Sequence, residues 1–202
     1  MDQVIDYFMV PTSPYVYLGH ERFVALAARH GARVRMKPFD LGKVFPVSGG
    51  LPLPKRAPQR QAYRLVELRR WREATGLALN LQPRFFPVAG DAAARLIIAA
   101  ERRVGLDAAL ALAGAVLRAV WVEERDIADA AVLDALAAGC GLAAGELDAD
   151  DPDVQARYEA NTREAIDAQV FGAPWYVYRG EPFWGQDRLD LLDRALSRGA
   201  PA

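Results

Sequence analysis

Strand-like sequence gathers near the two ends of this chain, and that placement limits what it can fold into. Val4–Val10 (VIDYFMV) is β-rich and short, and Pro11 and Pro14 stop it. Ala32–Phe39 (ARVRMKPF) alternates Val34 and Met36 with basic residues and predicts a second strand. The next strand signals come only at Pro174–Arg179 (PWYVYR) and Pro182–Trp184, joined through Arg179-Gly180-Glu181-Pro182 as a hairpin. The simplest closure pairs both ends in one sheet and leaves the middle as a helical insertion.

Helix signals fill the space between. Ser13 caps a helix from Pro14 to His30, where proline is tolerated because its missing N–H needed no partner. Leu18, Phe23, Leu26 and Ala27 form its inner face, and Gly31 ends it. With its flanking strands this helix makes a βαβ unit. Asp40–Pro58 is rich in Gly and Pro and predicts a long surface loop. Gln59–Thr75 predicts a helix with Tyr63, Val66 and Trp71 on one face, and Gly76–Pro87 an irregular stretch. Residues 91–104, 107–122 and 129–138 predict Ala-rich helices, and Asp151–Val170 a further one capped by Asp151 or Asp153. Gly185-Gln186-Asp187 leads into a last helix, Arg188–Ser197.

Composition narrows the function classes. With 202 residues, 52% of them hydrophobic, the chain can bury a sizeable core. The formal net charge is −1 and the charges are spread along the chain, which argues against a nucleic-acid partner. The single cysteine, Cys140, excludes an internal disulfide and a Cys-x-x-Cys site, and reads as a small apolar residue near a helix end. Met1–Val10 has no signal-peptide pattern and no stretch approaches the ~20 apolar residues of a membrane helix, so the cytoplasm is the expected location. His20 and His30 have no evident acid partner and are expected at the surface or a helix end. No metal, P-loop or paired-carboxylate pattern is present.

Two local patterns point to a site. Thr12-Ser13-Pro14-Tyr15 stands where a strand gives way to a helix, so backbone N–H groups and a hydroxyl converge where an anion such as a thiolate is stabilised. Gly172-Ala173-Pro174 precedes a strand. A cis bond before Pro174 would leave the Ala173 backbone free to pair with an extended peptide. Taken singly, a serine and a proline at a helix start form an ordinary cap.

Together, in the order Ser13-Pro14-Tyr15, Leu51-Pro-Leu-Pro-Lys-Arg-Ala-Pro, Tyr63…Trp71, Val170-Phe171-Gly172-Ala173-Pro174 and Phe183-Trp184-Gly185-Gln186-Asp187-Arg188-Leu189, the motifs resemble 2-hydroxychromene-2-carboxylate isomerases over the whole chain. That family is related to kappa-class glutathione transferases and to thioredoxin-fold disulfide oxidoreductases. The resemblance implies an α/β fold, a thioredoxin-like sheet with a large all-helical insertion. Residues 1–40 and 171–202 would form the thioredoxin-like part and 41–170 the insertion. It also implies a homodimer and a bound glutathione. Ser13 would be catalytic, favouring the glutathione thiolate. Ala173 would pair with the cysteinyl backbone, and Trp184, Gly185, Gln186 and Asp187 would hold the γ-glutamyl end. Asp187 also suits an N-cap of the last helix.

A serine suits this chemistry. It cannot form a mixed disulfide, as a cysteine would, but it can donate to a thiolate. In the family the thiolate adds to an electron-poor double bond, the bond becomes single and rotates, and elimination returns the thiol. The cyclic hydroxychromene carboxylate and open trans-o-hydroxybenzylidenepyruvate interconvert with no net redox change. For the acidic substrate, Lys55 and Arg56 in the Pro-rich loop are candidate contacts, the alternative being two solvated loop charges. Naphthalene-degrading relatives carry a lysine near Phe45, an asparagine near Pro54 and a tyrosine near Phe85. The apolar residues here imply a different or less polar substrate, with Lys43 able to replace the lysine. Two other functions fit the same residues: a kappa-type glutathione transferase, which consumes the thiol, and a non-catalytic thioredoxin-like binding module. A dithiol oxidoreductase is excluded, since no second thiol follows Ser13.

Overall fold

The computed structural model describes residues 3–143 and 145–198, so the first two and last four residues of the predicted thioredoxin-like part lie outside the described residues. Four strands, β1 (Val4–Met9), β2 (Arg33–Pro38), β3 (Trp175–Tyr178) and β4 (Glu181–Trp184), form one sheet in the order β2-β1-β3-β4. β1 and β2 run parallel, while β3 is antiparallel to β1 and to β4. The two ends of the chain thus pair through β1 and β3, with Tyr7 opposite Tyr176.

β1 has a strand on each side, and side chains from helices cover both its faces. Ile5, Tyr7 and Met9 point into the main core, while Phe8 points the other way, toward Phe39, Val44, Ala165 and Trp175. Helix α1 (Pro14–Arg29) covers the first face, where Tyr7 lies 4.4 Å from Phe23 and 5.3 Å from Tyr176 between ring centroids. Helices α2 (Leu41–Ser48) and α7 (Pro152–Asp167) supply the other. Between them in sequence lie α3 (Pro58–Thr75), α4 (Asp91–Arg103), α5 (Leu106–Trp121) and α6 (Ala130–Gly139), and α8 (Leu189–Ser197) closes the chain. The main core runs without interruption from the sheet through α1 into α4, α5 and α6. No described helix is long and apolar enough to cross a membrane.

Several expectations need correction. Asp40–Pro58 is not one loop. It holds α2, because Asp40 accepts from the N–H groups of Gly42 and Lys43 and starts a helix despite Pro46. Gly49, at φ +74°, ends it, and a single 3-10 turn follows at Leu53–Lys55. On α3 the buried face is Arg64 and Leu68, whereas Tyr63 is 58% exposed. The helix predicted to reach Val170 stops at Asp167, and Val170 turns into the smaller core.

His20 differs from expectation most, while His30 stands at the end of α1 as expected. His20 is buried. The Leu110 carbonyl only accepts, so Nε2 carries the proton toward it at 2.9 Å, and Nδ1 accepts from the Tyr7 hydroxyl at 3.1 Å. Burial pushes its pKa down, and the neutral ring joins sheet, α1 and α5. His30 does have an acid partner, Asp193, at 2.5 Å. Cys140 sits at the end of α6, where burial raises its thiol pKa.

Candidate functional site

Ser13 stands where β1 gives way to α1. Its Oγ accepts from the Val16 N–H and lies close enough to donate to the Ala173 carbonyl, each at 3.3 Å. Its carbonyl takes the Tyr17 N–H, and its own N–H goes to Val10. Pro14 has no N–H to offer. Among the described residues the Tyr15 N–H has no partner, so it and the Ser13 hydroxyl remain as donors at the positive end of α1. The Ala173–Pro174 bond is cis, and the Ala173 N–H is likewise free among the described residues. A helix start with two donors thus faces a peptide edge with one donor.

The two C-terminal motifs interlock. Phe171 meets Trp184 edge-on at 4.6 Å and Trp175 at 4.8 Å. A Cβ at Gly172 would lie 2.5 Å from the Trp184 Nε1, so only glycine lets the indole lie on this backbone. The Gly185 N–H donates to the Pro174 carbonyl at 2.9 Å, which ties the Gly185–Asp187 segment to the cis-proline corner. Trp184 is half-exposed on the edge strand. Gln186 faces inward. It packs on Gly19 of α1, and its amide oxygen accepts from Arg22 at 2.7 Å. In this arrangement its side chain braces the segment from behind. Asp187 is exposed, pairs with Arg188 at 2.9 Å and does not cap α8, whose N-cap is Arg188 without a side-chain bond.

The candidate substrate residues scatter. Lys43 is exposed on α2, and Phe45 folds back against Gly50 at the end of that helix. Lys55 is exposed in the 3-10 turn, while Arg56 is half-buried and donates to the Leu51 carbonyl. Phe85 lies under Arg84, 5.1 Å from its guanidinium. Of these, only Arg56 has a charge that opposes the burial-raised pKa of Tyr15, two residues after Ser13.

Arg64 and Glu67 of α3 belong to no motif of the sequence. Burial raises the Tyr15 pKa, a rise that Arg64 and Arg56 oppose and that Glu67 and Asp187 reinforce. Arg64 is buried, 5.2 Å from the Phe86 ring and 5.7 Å from that of Trp121. The signal for it was its spacing, one turn before the buried Leu68. An open groove between α3 and Leu79–Gln82, lined by Arg69 and Arg72, contains none of these residues.

This is a thioredoxin-type corner, a helix start facing a cis-proline, with serine in place of thiols. Residues 4–197 match the DSBA-like thioredoxin domain, and the chain belongs to that family. Within it, the chain is similar over almost its whole length to 2-hydroxychromene-2-carboxylate isomerases. It is 29% identical to the one from Pseudomonas putida, covering 96% of this chain and 95% of the relative. It is also 29% identical to that from Sphingobium xenophagum, with 97% and 99% covered. A solved structure of 2-hydroxychromene-2-carboxylate isomerase superposes with a TM-score of 0.82 at 25% identity, covering 96% of this chain and 95% of that one. Cytosolic disulfide reductase DsbM from Pseudomonas aeruginosa shares the fold, at a TM-score of 0.67 and 20% identity over 98% of this chain and all of that one.

Proposed function

We propose that this protein is a glutathione-dependent isomerase of 2-hydroxychromene-2-carboxylate or a related aromatic breakdown product. The observation that carries the reading is the Ser13 hydroxyl, held between the first turn of α1 and the Ala173 carbonyl with no cysteine beside it. The isomerase names of full-length relatives supply the reaction. Glutathione, when bound, supplies the thiolate that adds to a conjugated double bond and leaves again.

The chain's own residues have defined tasks. The Ser13 hydroxyl turns its proton from the Ala173 carbonyl toward a sulfur anion, and the Tyr15 N–H and the positive end of α1 lower the cost of that charge. The free Ala173 N–H is available to pair with a peptide backbone. Asp187, exposed beside the corner, suits an ammonium group, and Arg56 and Arg64 suit carboxylates. The neutral Tyr15 hydroxyl keeps its proton at working pH and can donate it in a hydrogen bond.

The test is titration of glutathione into wild type and Ser13→Ala, following thiolate absorbance, and then a mixture with the chromene carboxylate, following total thiol. The reading expects a thiolate signal that the alanine variant loses, and turnover with thiol unchanged. Turnover that consumes thiol would make the protein a transferase. Absence of both binding and thiolate would leave a non-catalytic module.

A further inference from the structure

Arg64 carries a charge that the fold leaves unanswered. It has 9% of its surface exposed, its Nη2 has no hydrogen-bond partner, and no described carboxylate lies within ion-pair distance of it. The rings of Phe86 and Trp121, at 5.2 and 5.7 Å, attract the cation but accept none of its in-plane N–H groups. An unpaired guanidinium held away from water is costly, and an anionic ligand would offset that cost.

The surroundings place this cation by the Ser13 corner. Phe86 leads into Pro87–Gly90, and Gly90 packs so closely on Thr12 that a Cβ there would lie 2.9 Å from the Thr12 Cγ2. Helix α3, which carries Arg64, packs against α1, and the Arg64 charge opposes the burial that raises the Tyr15 pKa in the first turn after Ser13. The segment before α4 thus walls the buried guanidinium and the serine together. The carboxylates that act on Tyr15 are already taken, Glu67 by Arg70 at 2.6 Å and Asp187 by Arg188 at 2.9 Å, so neither answers the Arg64 charge.

We infer that Arg64 is the carboxylate-binding residue of the Ser13 site, its planar fork taking one carboxylate with the Tyr15 hydroxyl as a neighbouring donor. The choice of a carboxylate rests on the isomerase reading above. The carboxylate comes either from the electrophile or from glutathione, and the two sources can be separated.

Calorimetric titrations would compare trans-2-hydroxycinnamate with its methyl ester, and glutathione with its glycine ethyl ester, on wild type, Arg64→Met and Arg64→Lys. Wild type is expected to prefer the acid of one pair by on the order of tenfold or more. Arg64→Met should lose that preference, and Arg64→Lys, which keeps charge without the fork, should recover part of it. Loss within the cinnamate pair assigns the electrophile's carboxylate, and loss within the glutathione pair assigns that of glutathione. Denaturant melts check that the variants fold, and Arg64→Met should be no less stable than wild type because a buried charge has gone. No acid preference in wild type, or one that survives in Arg64→Met, overturns the inference. Binding needs no turnover, so an Arg64-dependent acid preference without isomerisation would count against the isomerase reading alone.

Discussion

Gly19 is the sharpest structural test. It lies inside α1, where alanine would ordinarily stabilise a helix by about 1 kcal/mol. Here a Cβ would meet the Gln186 Cβ at 2.6 Å. Carbon atoms pack best at about 3.5–4.0 Å, so the two backbones must separate by roughly 1 Å. No rotamer relieves this, since both atoms are fixed to the main chain. Overpacking of this kind costs about 1–3 kcal/mol, which outweighs the helix gain and leaves a net loss of about 1 kcal/mol. For a chain this long that is a fall in Tm of about 3 °C. Gly114 of α5 is the matched control, for its Cβ would meet His20 at an ordinary 3.5 Å. Gly114→Ala should therefore raise Tm while Gly19→Ala lowers it. In calorimetric melts, adding Gln186→Gly to Gly19→Ala should return part of the loss, since it removes the opposing carbon. Equal stabilisation by both alanine substitutions would refute the close approach and, with it, the bracing of the Gly185–Asp187 segment by α1.

Three further outcomes follow from single groups. His20 is held neutral with a depressed pKa, so the unfolded chain takes up a proton near pH 6.5 that the folded chain refuses; its stabilisation is complete above about pH 6.5 and is lost as pH falls, and His20→Asn should flatten urea midpoints between about pH 5 and pH 8. Lys37 is buried between Asp6 and Glu164, so Lys37→Met should cost about 3 kcal/mol in urea melts, the lower end for a broken buried pair because Glu164 still reaches water and Asp6 keeps Arg35; an unchanged midpoint would mean that these ion pairs contribute nothing. Ser13→Cys, incubated with glutathione disulfide, should form a mixed disulfide visible by intact mass, whereas wild type and Ser13→Ala should not; Ser13→Ala should also lose about 1 kcal/mol of helix capping.

The sequence revealed most where local and long-range signals agreed. β1, Ser13 and α1 could be read because a β-rich run, a cap and a first-turn proline follow one another. The pairing of chain ends followed because no other strands were available. Asp40–Pro58 misled because Gly42, Pro46 and Gly49 look like breakers singly, whereas the cap at Asp40 and the seating of Val44 in the smaller core outweigh them. Arg64 was hidden among Arg60, Arg69, Arg70 and Arg72 in a helix whose charges mask its inner stripe. His20 was misplaced for a related reason. Its burial depends on a partner distant in sequence, Leu110, that no local pattern announces.

The split origin of the Ser13 corner bears on how such proteins diversify. Ser13 and Ala173 come from the two ends of the chain, which the sheet holds together, while Arg56, Arg64 and Phe86 come from the helical middle. On the proposed reading, substitutions in the middle would change which acid is accepted without touching the groups that would handle sulfur. The Phe45, Pro54 and Phe85 positions, apolar here, fall in that half. A lineage built this way can exchange substrates while keeping one chemistry.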